Sequence, residues 1–161
     1  ESLKQIKLNL HLPETIFDKR LNELDYQRLE SSFCSASNCS PSSSPTEFRD
    51  FFSKLISAWA SDQLNGLEES YLEFNDRINS AVNDHIFNSE RVLIVSSGGP
   101  TSLLVTRALD LNHLGTGEIL YFTMNSSYSV FSELNDRFTL LQFNCTPHLD
   151  KKEYNKLKTF I

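Results

Sequence analysis

The sequence predicts an α/β fold, a three-layer sandwich in which a mostly parallel central sheet is flanked by helices. Two observations carry this prediction. Short apolar runs rich in β-branched residues, such as Arg91–Val95, are typical of strands that are buried on both faces. These runs alternate with segments whose apolar residues recur at helical spacing. The 161 residues are enough to form a hydrophobic core, and we expect residues 1–161 to be a single domain.

Composition excludes several classes of function. The net charge is −6, from 15 basic and 21 acidic residues, which argues against nucleic acid as a partner. We find no apolar run of the about 18 residues that a membrane span needs, and no signal peptide. The three cysteines are too few for a disulfide scaffold and have no second ligand pair for zinc. We therefore expect a cytoplasmic protein with free thiols, no membrane partner, no metal and no cofactor.

The N-terminal segments are weakly patterned. Four apolar residues fit either a helix or an extended stretch that ends at Pro13: Leu3, Ile6, Leu8 and Leu10. Half of the residues from Ser31 to Thr46 are serine. Such a composition buries too little apolar surface to offset the entropy of ordering, so we expect a flexible loop over residues 31–46.

Two amphipathic helices are predicted next. The order Ser44-Pro45-Thr46-Glu47 is typical of a helix start, with proline at the first helical position. Behind it, apolar residues at i, i+3, i+4 and i+7 form one stripe that we assign to the core: Phe48, Phe51, Phe52, Leu55, Ile56 and Trp59. Asn65-Gly66 ends this region, and a second helix is predicted from about Glu68 to Phe87.

The C-terminal half predicts most of the sheet. Residues 91–95 and 118–123 are apolar runs that we interpret as strands, with a turn at Gly115-Thr116-Gly117 before the second. A helix is predicted over residues 101–111. Two more strands are expected over residues 128–131 and 138–143, on either side of Asn135-Asp136, and a short helix over residues 150–160.

The loop after the first of these strands could bind an anion. It reads Ser96-Ser97-Gly98-Gly99-Pro100 and leads directly into a helix. Glycines allow backbone N–H groups to converge, and the positive end of the helix favours a negative charge. The loop has neither a Walker lysine nor the dinucleotide pattern G-x-G-x-x-G, so a plain strand-to-helix connection is the alternative.

These residues also resemble a known family. The run from Val92 to Gly99 resembles the C-terminal signature of the histidine phosphatase superfamily (phosphoglycerate mutase-like), an apolar strand followed by Ser/Thr-His-Gly-Gly. Looser matches occur in the family's order along nearly the whole chain. They are Arg20–Glu30 (R-L-x-E-x-D-F-G-x-W-E-G), Glu69–Arg77 (E-S-x-x-E-F-x-x-R), Asn125–Ser129 (N-x-S-x-S) and Phe143–Leu149 (F-N-x-x-x-H-L). The resemblance implies a phosphoglycerate mutase-like sandwich.

The resemblance also implies roles for individual residues. It makes Glu23 the catalytic acid, His148 a structural histidine, and four residues the phosphate-binding set: Gln5, Ser97, Gly98 and Asn125. Several family features are missing. The family's nucleophilic histidine lies in an Arg-His-Gly sequence that is absent here, Gln5 stands at an arginine position and Ser97 at the second pocket histidine. Each exchange removes positive charge from a site that stabilises a phosphoryl group.

Three hypotheses follow. The first is a domain with a degenerate phosphate pocket, non-catalytic or impaired, that acts as a binding or scaffold module for a small phosphorylated ligand or a protein partner. The alternative is an active phosphomonoester hydrolase of which this chain is a fragment, its Arg-His-Gly lying on sequence before Glu1. The third is an unrelated α/β binding domain. The family fold would place the strands at 92–95 and 118–123 side by side, with Glu23 approaching Ser97 across a cleft.

Overall fold

The computed structural model describes residues 14–41, 44–86 and 89–159. Gln5 and the apolar residues before Pro13 lie outside them. The described residues form these elements, in chain order: α1 (Tyr26–Ser37), α2 (Pro45–Ala60), α3 (Tyr71–Ile86), α4 (Gly98–Ala108), α5 (His113–Phe122), β1 (Tyr128–Leu134) and β2 (Arg137–Cys145). Short 3-10 turns lie at Lys19–Leu21, Pro147–Leu149 and Lys152–Leu157. The chain is therefore α/β, as predicted.

Helix α2 supplies the centre of the core. It begins at Pro45 after Ser44, and its apolar stripe is buried as the sequence predicts, with Leu55 and Ile56 almost completely inaccessible to solvent. Helices α1, α3 and α5 all pack against α2. The packing is rich in aromatic contacts, such as the edge-to-face pair of Trp59 and Tyr71 with ring centroids 5.3 Å apart. This arrangement anchors α3, whose Arg77 supports the backbone of the candidate site.

The serine-rich segment is more ordered than its composition predicts. Residues 31–37 are the second half of α1, so the prediction of a loop is wrong for them. Asp25 is the N-cap of the helix, and its carboxylate accepts a hydrogen bond from the N–H of Arg28. The helix buries Leu29 and Phe33 against α2. Tyr26 and Cys34 of the same helix also pack against the core, so an apolar face holds this serine-rich helix in place. Asn38, with φ of 49°, ends it.

The predicted strand at residues 118–123 is wrong, because residues 118–122 belong to α5. The Asn112 side chain accepts hydrogen bonds from the N–H groups of Leu114 and Gly115 and so starts this helix. Gly117 lies inside the helix, where it faces the Ile56 side chain of α2. A short apolar run does not distinguish a buried helix from a buried strand.

The predicted strand at residues 91–95 is also wrong. The segment has no regular secondary structure, and Val92, Leu93 and Val95 are 41%, 60% and 39% exposed. A strand buried on both faces needs neighbouring strands, and in the described ranges β1 and β2 pair only with each other. The parallel sheet of the predicted sandwich is therefore not among the described residues, and the expected side-by-side strands are not formed.

The C-terminal hairpin confirms the other two predicted strands. β1 and β2 are antiparallel, and Leu134 pairs with Arg137 across a turn made of Asn135 and Asp136. Both turn residues have positive φ, of 52° and 59°, which asparagine and aspartate tolerate better than most residues. The hairpin packs on α4 and covers the end of that helix opposite to the candidate site.

Candidate functional site

The first turn of α4 contains two glycines followed by a proline. Ser97 is its N-cap in extended conformation, and Gly98, Gly99 and Pro100 are the first helical residues. The Ser97 carbonyl accepts a hydrogen bond from the Thr101 side chain at 2.9 Å, which fixes the first turn. The helix is buried along most of its length, so this end is held rigidly. The N–H groups of the first turn are free of intrahelical partners and attract an anion.

The Glu23 carboxylate lies on this helix end. Its Oε2 accepts a hydrogen bond from the Gly99 N–H at 3.0 Å, and its Oε1 accepts one from the Leu24 N–H at 2.9 Å. The predicted acid and the predicted phosphate loop are thus brought together, next to Ser97 and Gly98. The negative charge occupies the place where the helix dipole is most favourable.

Gly99 is required for this approach. A Cβ atom at residue 99 would stand 2.0 Å from Glu23 Oε1 and 3.1 Å from Glu23 Cδ. It would also stand 3.3 Å from Leu24 Cδ2, so any larger residue must move the carboxylate away. The absent side chain leaves the N–H group accessible to an oxygen atom.

Arg77 of α3 fixes the chain that carries Glu23. Its Nη1 donates to the carbonyl groups of Arg20 and Asn22, at 2.6 and 2.9 Å. Its Nη2 donates to Glu69 Oε2 at 2.9 Å, its Nε also bonds to that carboxylate, and the guanidinium lies over the Phe74 ring. Ser96 adds a second support, because its hydroxyl donates to the Leu21 carbonyl at 2.6 Å.

The arginine nearest in sequence to Glu23, Arg20, belongs to a separate cluster of ion pairs. The Arg20 guanidinium binds the Asp18 carboxylate through Nε and Nη2 and the Asp84 carboxylate through Nη1. His85 Nε2 lies 3.1 Å from Asp18 Oδ2. The Arg20 guanidinium holds the pKa of Asp18 well below its usual range, against the raising effect of burial. Arg20 therefore serves a structural pair rather than the anion site.

Among the described residues, none supplies Glu23 with the positive charge that is expected in a phosphate pocket. In the part of the chain that the structure describes, no lysine, arginine or histidine pairs with its carboxylate. Asn125 donates its side-chain N–H to Thr159 Oγ1 at 2.8 Å and its backbone N–H to the Thr159 carbonyl. His148 bonds to the Ser126 hydroxyl at 3.1 Å. The described donors at the site are backbone amides and serine hydroxyls.

Sequence reasoning missed how Arg77 and Glu69 work. Both belong to the quoted segment Glu69–Arg77, yet nothing in that pattern says that they pair with each other and hold the backbone before Glu23. The Ser70–Glu73 pair in the same segment has a different role: Glu73 accepts hydrogen bonds from the Ser70 backbone and hydroxyl at the start of α3. Arg77 and Glu69 lie eight residues apart in the sequence, and the fold brings them together as an ion pair.

The described residues also bear on two other types of site. No three histidine, cysteine, aspartate or glutamate side chains among them gather closely enough to hold a metal ion. None of the helices that these residues form is both long and apolar enough to cross a membrane.

Residues 1–146 match the family model described as histidine phosphatase superfamily (branch 1). No curated protein matches the chain at a significant level. No solved structure does so either. The family match spans all five motifs except the last three residues of the C-terminal one, and it rules out an unrelated α/β domain.

Proposed function

Because this chain belongs to the histidine phosphatase superfamily, we propose that it is a domain with a degenerate phosphate pocket that acts in binding rather than catalysis. Its ligand would be a small phosphorylated compound or a protein partner. The observation that carries the proposal is the hydrogen bond between the Glu23 carboxylate and the Gly99 N–H. The chain's own carboxylate thereby takes the position where a phosphate oxygen would bind.

A phosphate group must compete with Glu23 for this helix end. Displacing a carboxylate from a backbone N–H costs about 1.5–3 kcal/mol, the usual value of a charge-assisted hydrogen bond. If the carboxylate stays, a phosphate about 4 Å away is repelled by about 1–4 kcal/mol, depending on the local dielectric. Either way, phosphate binding is weakened by roughly fivefold or more, since 1.4 kcal/mol is a factor of ten and 1 kcal/mol is a factor of about five.

The exchange of cations for neutral residues weakens catalysis further. Ser97, which aligns with the second pocket histidine, offers a hydroxyl but no positive charge at the start of α4. Removal of one preorganised donor typically lowers a rate by about 10²–10³. Phosphoryl transfer depends on positive charge around the transferred group, so the described pocket supports binding better than turnover.

Three broader predictions belong to the same proposal. Family membership supports the three-layer, phosphoglycerate mutase-like sandwich, although none of the described strands is parallel. It also supports one domain over residues 1–161, of which the match covers residues 1–146. The third prediction is a cytoplasmic location. It is supported by the three cysteines, which are free thiols, as is usual in a reducing compartment.

One observation favours the alternative of an active phosphomonoester hydrolase. Glu23 lies beside the phosphate loop, where a general acid would protonate the leaving oxygen. The two functions are separated by assaying the chain with p-nitrophenyl phosphate and a panel of phosphomonoesters, beside Glu23→Gln and a surface control, Glu133→Gln. Our proposal expects no turnover above that of Glu23→Gln. Robust activity that Glu23→Gln abolishes and Glu133→Gln preserves would establish the hydrolase instead.

A gain-of-function variant tests the pocket itself. Ser97→His restores an imidazole at the N-cap of α4, adjacent to the Gly99 N–H. If this helix end is the phosphate site, the variant should bind orthophosphate more tightly than the native chain, and any residual turnover should rise. An unchanged affinity would count against the assignment of Ser97 to the pocket.

A further inference from the structure

Two cysteines meet where α1 ends. Asn38 turns the chain in the left-handed conformation, and the Cys34 carbonyl accepts hydrogen bonds from the N–H of Asn38 and, at 3.2 Å, from the N–H of Cys39. A helix end that is closed in this way commonly brings the side chains of its first and last hydrogen-bonded residues into contact. The backbone therefore places Cys34 and Cys39 against each other, five positions apart in the sequence.

The two thiols are close enough to be joined. A backbone hydrogen bond of 3.2 Å, with standard bond lengths, keeps the Cα atoms of Cys34 and Cys39 less than about 7 Å apart. This separation is within the reach of a disulfide. Both side chains are half-buried and pack against the hydrophobic core, which limits their movement. Burial, together with a hydrogen bond between the two thiols, raises the pKa of Cys34.

We propose that Cys34 and Cys39 are a site of reversible disulfide formation, with low-molecular-weight disulfides as the oxidant. One cysteine attacks a sulfur of the oxidant and releases a thiol, and the other then attacks the mixed disulfide and releases a second thiol. The protein loses two protons and two electrons, and the oxidant is reduced to two thiols. The raised pKa of Cys34 slows its attack, so we expect Cys39 to attack first.

The site is independent of the function proposed above, which uses neither thiol. In a reducing compartment the pair stays reduced until the oxidant accumulates, as is usual for redox-sensing cysteines. The disulfide would join the end of α1 to the chain that leads to α2. Because the fold holds the thiols together, the disulfide must in turn stabilise the fold by the same free energy.

Redox titration of the native chain tests the proposal. The chain is equilibrated with mixtures of reduced and oxidised glutathione, in buffer and in urea that unfolds it, then alkylated and mapped by mass spectrometry. We expect one intramolecular disulfide, between Cys34 and Cys39. Cys145 lies in β2, where its thiol donates to the Phe143 carbonyl at 3.6 Å, and it should be recovered alkylated. The equilibrium constant for disulfide formation should be about tenfold or more higher in the folded chain than in the unfolded one.

Two variants of Asn38 test the geometry without removing a cysteine. Glycine adopts positive φ without steric cost, so Asn38→Gly should leave the equilibrium constant within about twofold of the native value. Valine resists positive φ, so Asn38→Val should lower the constant by about fivefold or more. The oxidised native chain should also have a higher urea midpoint than the reduced chain. A disulfide to Cys145, equal constants in folded and unfolded chains, or an unchanged constant in Asn38→Val would overturn the proposal.

Discussion

Glu23 and Gly99 are joined across 76 residues of sequence by a hydrogen bond of 3.0 Å, from the backbone N–H of the glycine to the carboxylate. The contact closes one end of α4 with a charge that the helix dipole favours. It exists because residue 99 has no side chain and because Arg77 holds the backbone that precedes Glu23. Each of these conditions can be tested separately.

Gly99→Ala should lower the free energy of unfolding by about 1–2 kcal/mol, because the new Cβ expels the carboxylate from the helix end. The effect should be coupled to Glu23. In a double-mutant cycle measured by urea unfolding, Glu23→Ala with Gly99→Ala should cost little more than Glu23→Ala alone. Additive losses would mean that the two residues do not interact. Gly117→Ala is the matched helical control, since its Cβ would stand at an ordinary 3.4 Å from Ile56 Cβ and should not destabilise.

Arg77→Gln should destabilise the protein by about 2–3 kcal/mol, because it leaves the partly buried Glu69 carboxylate and two carbonyl groups without their donor. It should also shift the Gly99 amide signal, since the backbone before Glu23 loses its anchor. Arg28→Gln removes an exposed pair with Glu68 and should cost less than about 1 kcal/mol. An unmoved Gly99 signal in Arg77→Gln would show that Arg77 does not position Glu23.

Asp18 should make stability depend on pH in acid. Because its folded pKa lies below the unfolded value of about 3.9, Asp18 stabilises the fold above that pH, and the stabilisation is lost as the pH falls through the folded pKa. Asp18→Asn should therefore be less stable than the native chain at pH 7, and the gap should narrow steadily as the pH falls below about 4. Urea midpoints measured from pH 7 to pH 2 give the curve. Asp62→Asn, at an exposed turn, should run parallel to the native chain throughout.

A glycine at residue 136 should stabilise the hairpin turn. Asp136 has φ of 59° between β1 and β2, and glycine reaches this region without steric cost. Asp136→Gly should raise the free energy of unfolding by about 0.5–1 kcal/mol, because relief of the left-handed backbone cost exceeds the entropy that glycine adds to the unfolded chain. Urea unfolding measures the change. Asn135→Val should lower it by about 1 kcal/mol, because a β-branched residue resists positive φ. A destabilised Asp136→Gly variant would contradict the turn geometry.

Short sequence patterns correctly predicted those elements that depend only on residues within the same segment. The stripe from Phe48 to Trp59 and the turn at Asn135-Asp136 each contain their own signal, a spacing in one case and a backbone preference in the other. The runs at 91–95 and 118–123 contain no such signal. Whether they become strands depends on which segments lie beside them, and here α2 lies beside the second run and no described strand lies beside the first.

The site was predicted only as far as the family resemblance reached. Glu23 and the Ser97–Gly99 loop were paired by that resemblance, and the structure brings them together. No sequence pattern says that the carboxylate would bond to the glycine amide, or that Arg77 would hold the backbone of Arg20 and Asn22. These contacts join residues between 55 and 76 positions apart, and only the packed structure defines them.

The affinity of the chain for orthophosphate tests the central claim most directly. Titration calorimetry on the native chain, Glu23→Gln and the surface control Glu133→Gln would measure it at one ionic strength. If Glu23 occupies the anion position, the native chain and Glu133→Gln should bind phosphate weakly and alike, and Glu23→Gln should bind it about tenfold more tightly. Tight binding by the native chain that Glu23→Gln weakens would contradict the account, because the carboxylate would then support the phosphate site rather than fill it.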